Sequence, residues 1–150
     1  MNNLKDFNSF LNENQNNMQW FRGYTTNTKE LNYIWVTSDE NHAKQYAAIN
    51  KATYGGDTII DKLNIDLNNL NVLDLSMYDM DEYIDENSAD DILTDISVDY
   101  DYSNLFDIVE DEIPTSRLIN AILDKIMLNT DALKIFENGI LTLCINKNKI

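Results

Sequence analysis

Several residue types are scarce in this chain, and each shortage excludes something. A single cysteine, Cys144, leaves no partner for an internal disulfide and suits a reducing compartment. With one proline and four glycines there is no stretch composed like a flexible linker, so the 150 residues read as one domain. One histidine and one cysteine cannot make a Cys/His zinc cluster, and no GxGxxG, Walker loop or GxSxG occurs. No run approaches the roughly 18 apolar residues of a membrane helix. The opening MNNLKDFNSFLNENQNN is too polar for a secretory signal, so a cytosolic chain free of the membrane is expected. Basic residues are the scarcest charged class: 11 Lys and Arg face 26 Asp and Glu, for a net charge of −15 and a pI near 4.1.

Such a surface repels nucleic-acid phosphates and steers basic proteins toward it, so direct nucleic-acid binding is not expected and a basic partner is. An anionic ligand needs a local island of positive charge or free backbone N–H groups, which makes the few bases informative. Arg22 and Arg117 are the only arginines. Between Lys62 and Arg117 there is no base at all, while acids such as Asp79, Asp81, Asp85, Glu86, Asp90, Asp91, Asp95, Asp107 and Glu110 alternate with Leu75, Met80, Ile92, Leu93 and Phe106. That interleaving predicts short amphipathic helices with a solvated acidic face, over 79–95 and 104–112.

Elsewhere the pattern predicts a helix over 3–14, a strand at Gln19–Tyr24, and a strand over Tyr33–Thr37, where YIWVT is β-branched and aromatic. Ser38 or Asp39 can cap a helix over 40–50 whose apolar face is Ala43, Tyr46, Ala47 and Ile49. Strands are expected at Thr58–Ile65 and Leu70–Leu75. Pro114 opens a helix over 115–128 with a stripe of Leu118, Ile119, Ile122, Leu123, Ile126 and Met127. Asp131–Phe136 and Ile140–Ile145 form a closing hairpin through a tight Glu137-Asn138-Gly139 turn. Strands at both ends with helices between them give an α+β class. His42 is expected on an exposed helix turn and Cys144 in the core.

Four segments stand in a suggestive order: Phe21-Arg22-Gly23-Tyr24, Trp35-Val36-Thr37-Ser38, Ala43 with Tyr46 and Ala47, and a late Glu137 before the last strand. In this the chain resembles the ADP-ribosyltransferase superfamily, and in layout its small phage-encoded, anti-CRISPR-like members. The resemblance runs from about residue 19 to the end in architecture but rests on some fifteen residues in motif. It implies a split β-sheet core interrupted by an acidic helical segment, with NAD as the bound cofactor. It further implies Glu137 as the catalytic carboxylate, bonding the ribose 2′-hydroxyl and stabilising an oxocarbenium-like sugar. Arg22 would hold a phosphate or the adenosine ribose, Gly23 would let the backbone approach the ligand, and Thr37 and Ser38 would brace the site. Tyr24 or Tyr46 would stack on the nicotinamide beside Trp35. Arginine-modifying members carry Glu or Gln two residues before the catalytic acid; Ile135 stands there, against arginine as the acceptor. A shifted register would put Thr142 at the acidic place and leave the fold inactive. The expectation is a monomeric mono-ADP-ribosyltransferase aimed at a basic or nucleic-acid-binding host protein, in phage counter-defence. The alternatives are a non-enzymatic acidic inhibitor that mimics nucleic-acid charge and an NAD glycohydrolase toxin.

Overall fold

A computed structural model describes residues 18–107 and 109–150; the helix expected over 3–14 lies outside them. The fold is mixed α+β. Its elements in chain order are β1 (Gln19–Thr25), β2 (Tyr33–Thr37), α1 (Glu40–Tyr54), β3 (Thr58–Asn64), β4 (Val72–Asp79), β5 (Tyr83–Ile84), α2 (Glu86–Asp95), β6 (Ile113–Pro114), α3 (Thr115–Asn129), β7 (Ala132–Glu137) and β8 (Ile140–Asn146). Six strands form one sheet in the order β3-β1-β2-β8-β7-β4, antiparallel except where β4 runs parallel to β7; β5 and β6 pair separately. No helix among the described residues is long and apolar enough to cross a membrane.

The central strands are buried on both faces, and alternation divides their side chains. Ile34, Val36, Leu141, Leu143 and Ile145 point into one cluster with Trp20, Ile65 and Leu67. Leu133, Ile135 and Cys144 point into the other, which α3 covers with Leu118, Ile119, Ile122 and Ile126. The stripe expected on 115–128 is thus the core face of α3. Its N-terminus closes on backbone: Thr115 N–H donates to the Glu82 carbonyl at 2.8 Å and Ser116 N–H to the Met80 carbonyl at 3.0 Å. The closing hairpin turns through Asn138 (φ 53) and Gly139 (φ 73), the left-handed pair that a two-residue Asn-Gly turn requires.

The sheet is unevenly sewn. β1 and β3 pair along their whole length from Gln19↔Asn64 to Thr25↔Thr58, and β2 and β8 pair from Tyr33↔Asn146 to Thr37↔Thr142. Between those two halves, β1 and β2 share the single register pair Phe21↔Thr37. Beyond it the strands diverge, and Arg22-Gly23-Tyr24 and Tyr33-Ile34-Trp35 border one cavity.

The acidic middle departs from expectation. In place of a helix over 79–95 there is the end of β4, a turn, β5, and a helix confined to Glu86–Asp95. In place of a helix over 104–112 there is one 3₁₀ turn, Ser103–Leu105. Aspartates explain both, because their carboxylates fold back on nearby N–H groups and compete with helix continuation. Asp79 accepts from Asp81 N–H at 2.9 Å, Asp85 caps Ser88 N–H at 2.9 Å, and Asp107 accepts from Val109 N–H at 2.9 Å. The interleaved apolar residues still supply core: Leu75, Met80, Ile92, Leu93 and Phe106 are buried.

Candidate functional site

Where β1 and β2 diverge, α1 on one side and α3 on the other enclose a cavity of about 390 Å³. Such a volume lies within the range of small-molecule and cofactor sites. Of the eight residues proposed from sequence, six reach it: Arg22, Gly23 and Tyr24 from β1, Trp35 from β2, Tyr46 from α1 and Glu137 from the end of β7.

Glu137 is placed from two sides. Its neighbour Phe136 gives its carbonyl to Met80 N–H at 3.4 Å, and Asn138 N–H donates to Asp81 Oδ2 at 2.9 Å, so the turn that follows β4 grips the hairpin. The carboxylate itself is held from α1: the Tyr46 hydroxyl donates to Oε2 at 3.0 Å. Burial first, and then the Glu137 charge and this hydrogen bond, hold the Tyr46 phenol well above the usual tyrosine range, so the hydroxyl remains a donor. Behind Tyr46 lies His42, edge-on to its ring at 4.6 Å between centroids. His42 is 5% exposed and its Nε2 is buried with no hydrogen-bond partner, so the expectation of an exposed histidine is wrong. The face of α1 that carries Ala43 and Ala47 against β1 carries His42 inward with it, while Ile49, expected on that face, is 63% exposed.

Arg22 sits with its guanidinium over the Tyr24 ring, 4.1 Å from the centroid, and makes no ion pair among the described residues. The other arginine, Arg117, is spent on an exposed pair with Glu110 at 3.1 Å and does not line the cavity. Tyr24 donates its hydroxyl to Asp61 at 2.7 Å, across the β1–β3 pairing, and that bond is the main reason its phenol titrates above the ordinary value.

Gly23, Thr37 and Ser38 have structural tasks of their own. Gly23 lines the cavity, yet the demand for glycine comes from packing: a Cβ there would stand 1.7 Å from the Ala43 carbonyl oxygen of α1. It is the helix backbone that must approach. Thr37 and Ser38 lie outside the lining. Thr37 is fully buried and accepts from Asp39 N–H at 3.3 Å, and Ser38 donates from both N–H and Oγ to the Leu141 carbonyl at 3.0 Å. They fasten the start of α1 to β8; the cap itself is Asp39, which accepts from Asn41 N–H at 2.8 Å.

The sequence reading missed the opposite wall. Ser116 and Asn120, one turn apart on α3, line the cavity together with Ile119, Met80 and Ile135. Their signal was weak: two polar residues bordering the apolar stripe. Lys29, on the β1–β2 loop, was missed as well. Among the described residues no group of His, Cys, Asp and Glu is arranged to hold a metal. No protein-family model, curated protein or solved structure matches this chain.

Proposed function

We propose that the chain is a mono-ADP-ribosyltransferase that takes NAD into the β1–β2 cavity and transfers ADP-ribose to a basic or nucleic-acid-binding protein, in phage counter-defence. The resemblance to that superfamily lies in four segments spread over the sequence. The observation that carries the reading is that residues from all four line one cavity, with the carboxylate of Glu137 already fixed by Tyr46.

In this reading the bond between nicotinamide nitrogen and ribose C1′ breaks, and its electron pair leaves with nicotinamide. The acceptor's lone pair then forms the new bond to C1′, and the acceptor's proton passes to solvent. Glu137 bonds the 2′-hydroxyl and stabilises positive charge as it develops on the sugar. Arg22 binds phosphate through its donor fork, and Tyr24 and Trp35 supply aromatic surface for the ring. Tyr46, one of the two tyrosines expected to stack on the ring, is instead assigned to holding Glu137.

The test is thermal unfolding with and without millimolar NAD, together with release of nicotinamide and transfer of label from adenylate-labelled NAD to host-lysate protein, for wild type and Glu137→Gln. Binding to the folded state stabilises it, by about 2.7 kcal/mol when ligand is a hundredfold above Kd. A raised Tm with nicotinamide release and a labelled protein, both abolished in Glu137→Gln, supports the transferase. Release without any labelled protein would indicate the glycohydrolase. No protection and no release overturn the NAD reading in favour of the acidic inhibitor, whose binding then fails when the acids at 81–95 are neutralised.

A further inference from the structure

In a chain of net charge −15, the cavity itself carries the opposite balance. Two bases line it, Arg22 and Lys29, against one acid, Glu137. Neither base has a carboxylate within 4.0 Å among the described residues. The acids next to them in register and in sequence, Asp61 and Glu30, are held by other partners while keeping their charge. Asp61 opposes Arg22 in the β1–β3 register but accepts the Tyr24 hydroxyl at 2.7 Å. Glu30, next to Lys29, is paired with Lys147 at 2.8 Å.

The loop that carries Lys29 is tethered on both sides of it. Thr25 N–H donates to Thr28 Oγ1 at 2.9 Å and Thr28 N–H to the Thr25 carbonyl at 3.1 Å, which folds the start of the loop. The Glu30–Lys147 pair holds its other side. Helix termini offer an anion little here: Thr115 and Ser116 N–H at the start of α3 are bonded to backbone carbonyls, and α1 begins at the carboxylate of Asp39.

We propose that Arg22 and Lys29 together form a clamp for a diphosphate, with Lys29 as the second anchor, so that the site selects a diphosphate-bridged dinucleotide over a mononucleotide. For the ligand's identity this rests on the NAD reading above. The charges match in sign and number: two phosphate negatives face two cations, and the pyridinium positive charge of NAD faces Glu137. Arg22 contributes a planar fork fixed over Tyr24, and Lys29 contributes a point charge on a long stem that follows the second phosphate.

Titration calorimetry on the full chain tests this with ADP-ribose, inorganic pyrophosphate and AMP as probes, against wild type, Lys29→Ala, Lys29→Arg and, as a charge-matched control off the cavity, Lys62→Ala. The clamp requires pyrophosphate to compete with ADP-ribose. Lys29→Ala should weaken ADP-ribose about tenfold, the loss of one charge-assisted hydrogen bond, while AMP changes little. Lys29→Arg should restore binding and Lys62→Ala should leave it unchanged. Equal binding by wild type and Lys29→Ala, equal losses for AMP and ADP-ribose, or no binding of any probe overturns the clamp. The two proposals fail separately. Diphosphate binding that depends on Lys29 without nicotinamide release supports the clamp and removes the transferase. Release from NAD that Lys29→Ala leaves untouched in both kcat and KM removes the clamp and leaves the transferase.

Discussion

The hydroxyl of Tyr46 donates to Oε2 of Glu137 at 3.0 Å, joining the middle of α1 to the last residue of β7 across 91 positions of sequence. A carboxylate at the mouth of a hairpin would otherwise sample several rotamers. With Oε2 held, Oε1 has no protein hydrogen bond among the described residues. Tyr46→Phe keeps the ring that packs on His42 and removes the donor alone. Nicotinamide release should then slow by roughly ten- to a hundredfold in kcat with little change in KM, as expected when positioning of a reacting group is lost. Steady-state kinetics decide it; a rise in KM at constant kcat would assign Tyr46 to binding instead.

Two glycines should respond to alanine very differently. At Gly23 the new methyl would meet a helix backbone carbonyl 1.7 Å away, which no side-chain rotation can relieve. Gly23→Ala should cost about 3 kcal/mol or more and disturb the cavity, because α1 must retreat and take Tyr46 with it. At Gly139 nothing lies within 4 Å, so Gly139→Ala meets only the left-handed backbone (φ +73) and should cost about 1 kcal/mol. Urea denaturation separates the two; equal costs would contradict the packing assigned to Gly23.

Alkaline pH should weaken the fold. Burial pushes the Cys144 thiol up to about 12, and burial with the Asp124 hydrogen bond pushes the Tyr33 phenol up to about 12. Burial and the Glu137 charge raise Tyr46 as well. In each case the folded-state value lies above the unfolded one. The contribution is therefore complete below the ordinary values, 9.0 for the thiol and 10.0 for the phenols, and is lost as pH climbs toward 12. The urea midpoint should fall between neutral pH and about pH 11, and a midpoint that holds or rises would contradict these environments.

The same burial predicts that Cys144 is silent as a nucleophile. It is fully buried in β8, and the thiolate is the reactive form. A thiol reagent at mildly alkaline pH should label it no faster than the protein opens, and fully once urea is added. Immediate labelling of the folded protein would show that β8 is accessible.

What the sequence disclosed, it disclosed through local chemistry. Asn138-Gly139 announced its turn because a two-residue hairpin needs two left-handed residues, and the stripe from Leu118 to Met127 announced α3 because its period matches a helix. The acidic middle misled because apolar spacing cannot register an Asp79, Asp85 or Asp107 carboxylate turning back onto its own backbone. His42 misled because the turn around it is polar, yet the contact that buries it comes from Tyr46 and the packing of α1 on β1. In the site, Arg22, Tyr24, Trp35, Tyr46 and Glu137 were legible as an ordered set. Ser116 and Asn120 were not, since only tertiary packing decides that the border of the α3 stripe faces a cavity. Nor was the parallel pairing of β4 with β7, which joins strands separated by two helices and fixes the end of β4 beneath Glu137.

The most direct test of the central claim follows label from adenylate-labelled NAD into protein. Wild type and Glu137→Gln are incubated separately with the labelled NAD and a bacterial host lysate, and labelled proteins are resolved and identified by mass spectrometry. Transfer through this cavity requires a labelled host protein with wild type, none with Glu137→Gln, and nicotinamide released in step with the label. Undiminished labelling by Glu137→Gln, or neither label nor nicotinamide from wild type, would contradict it.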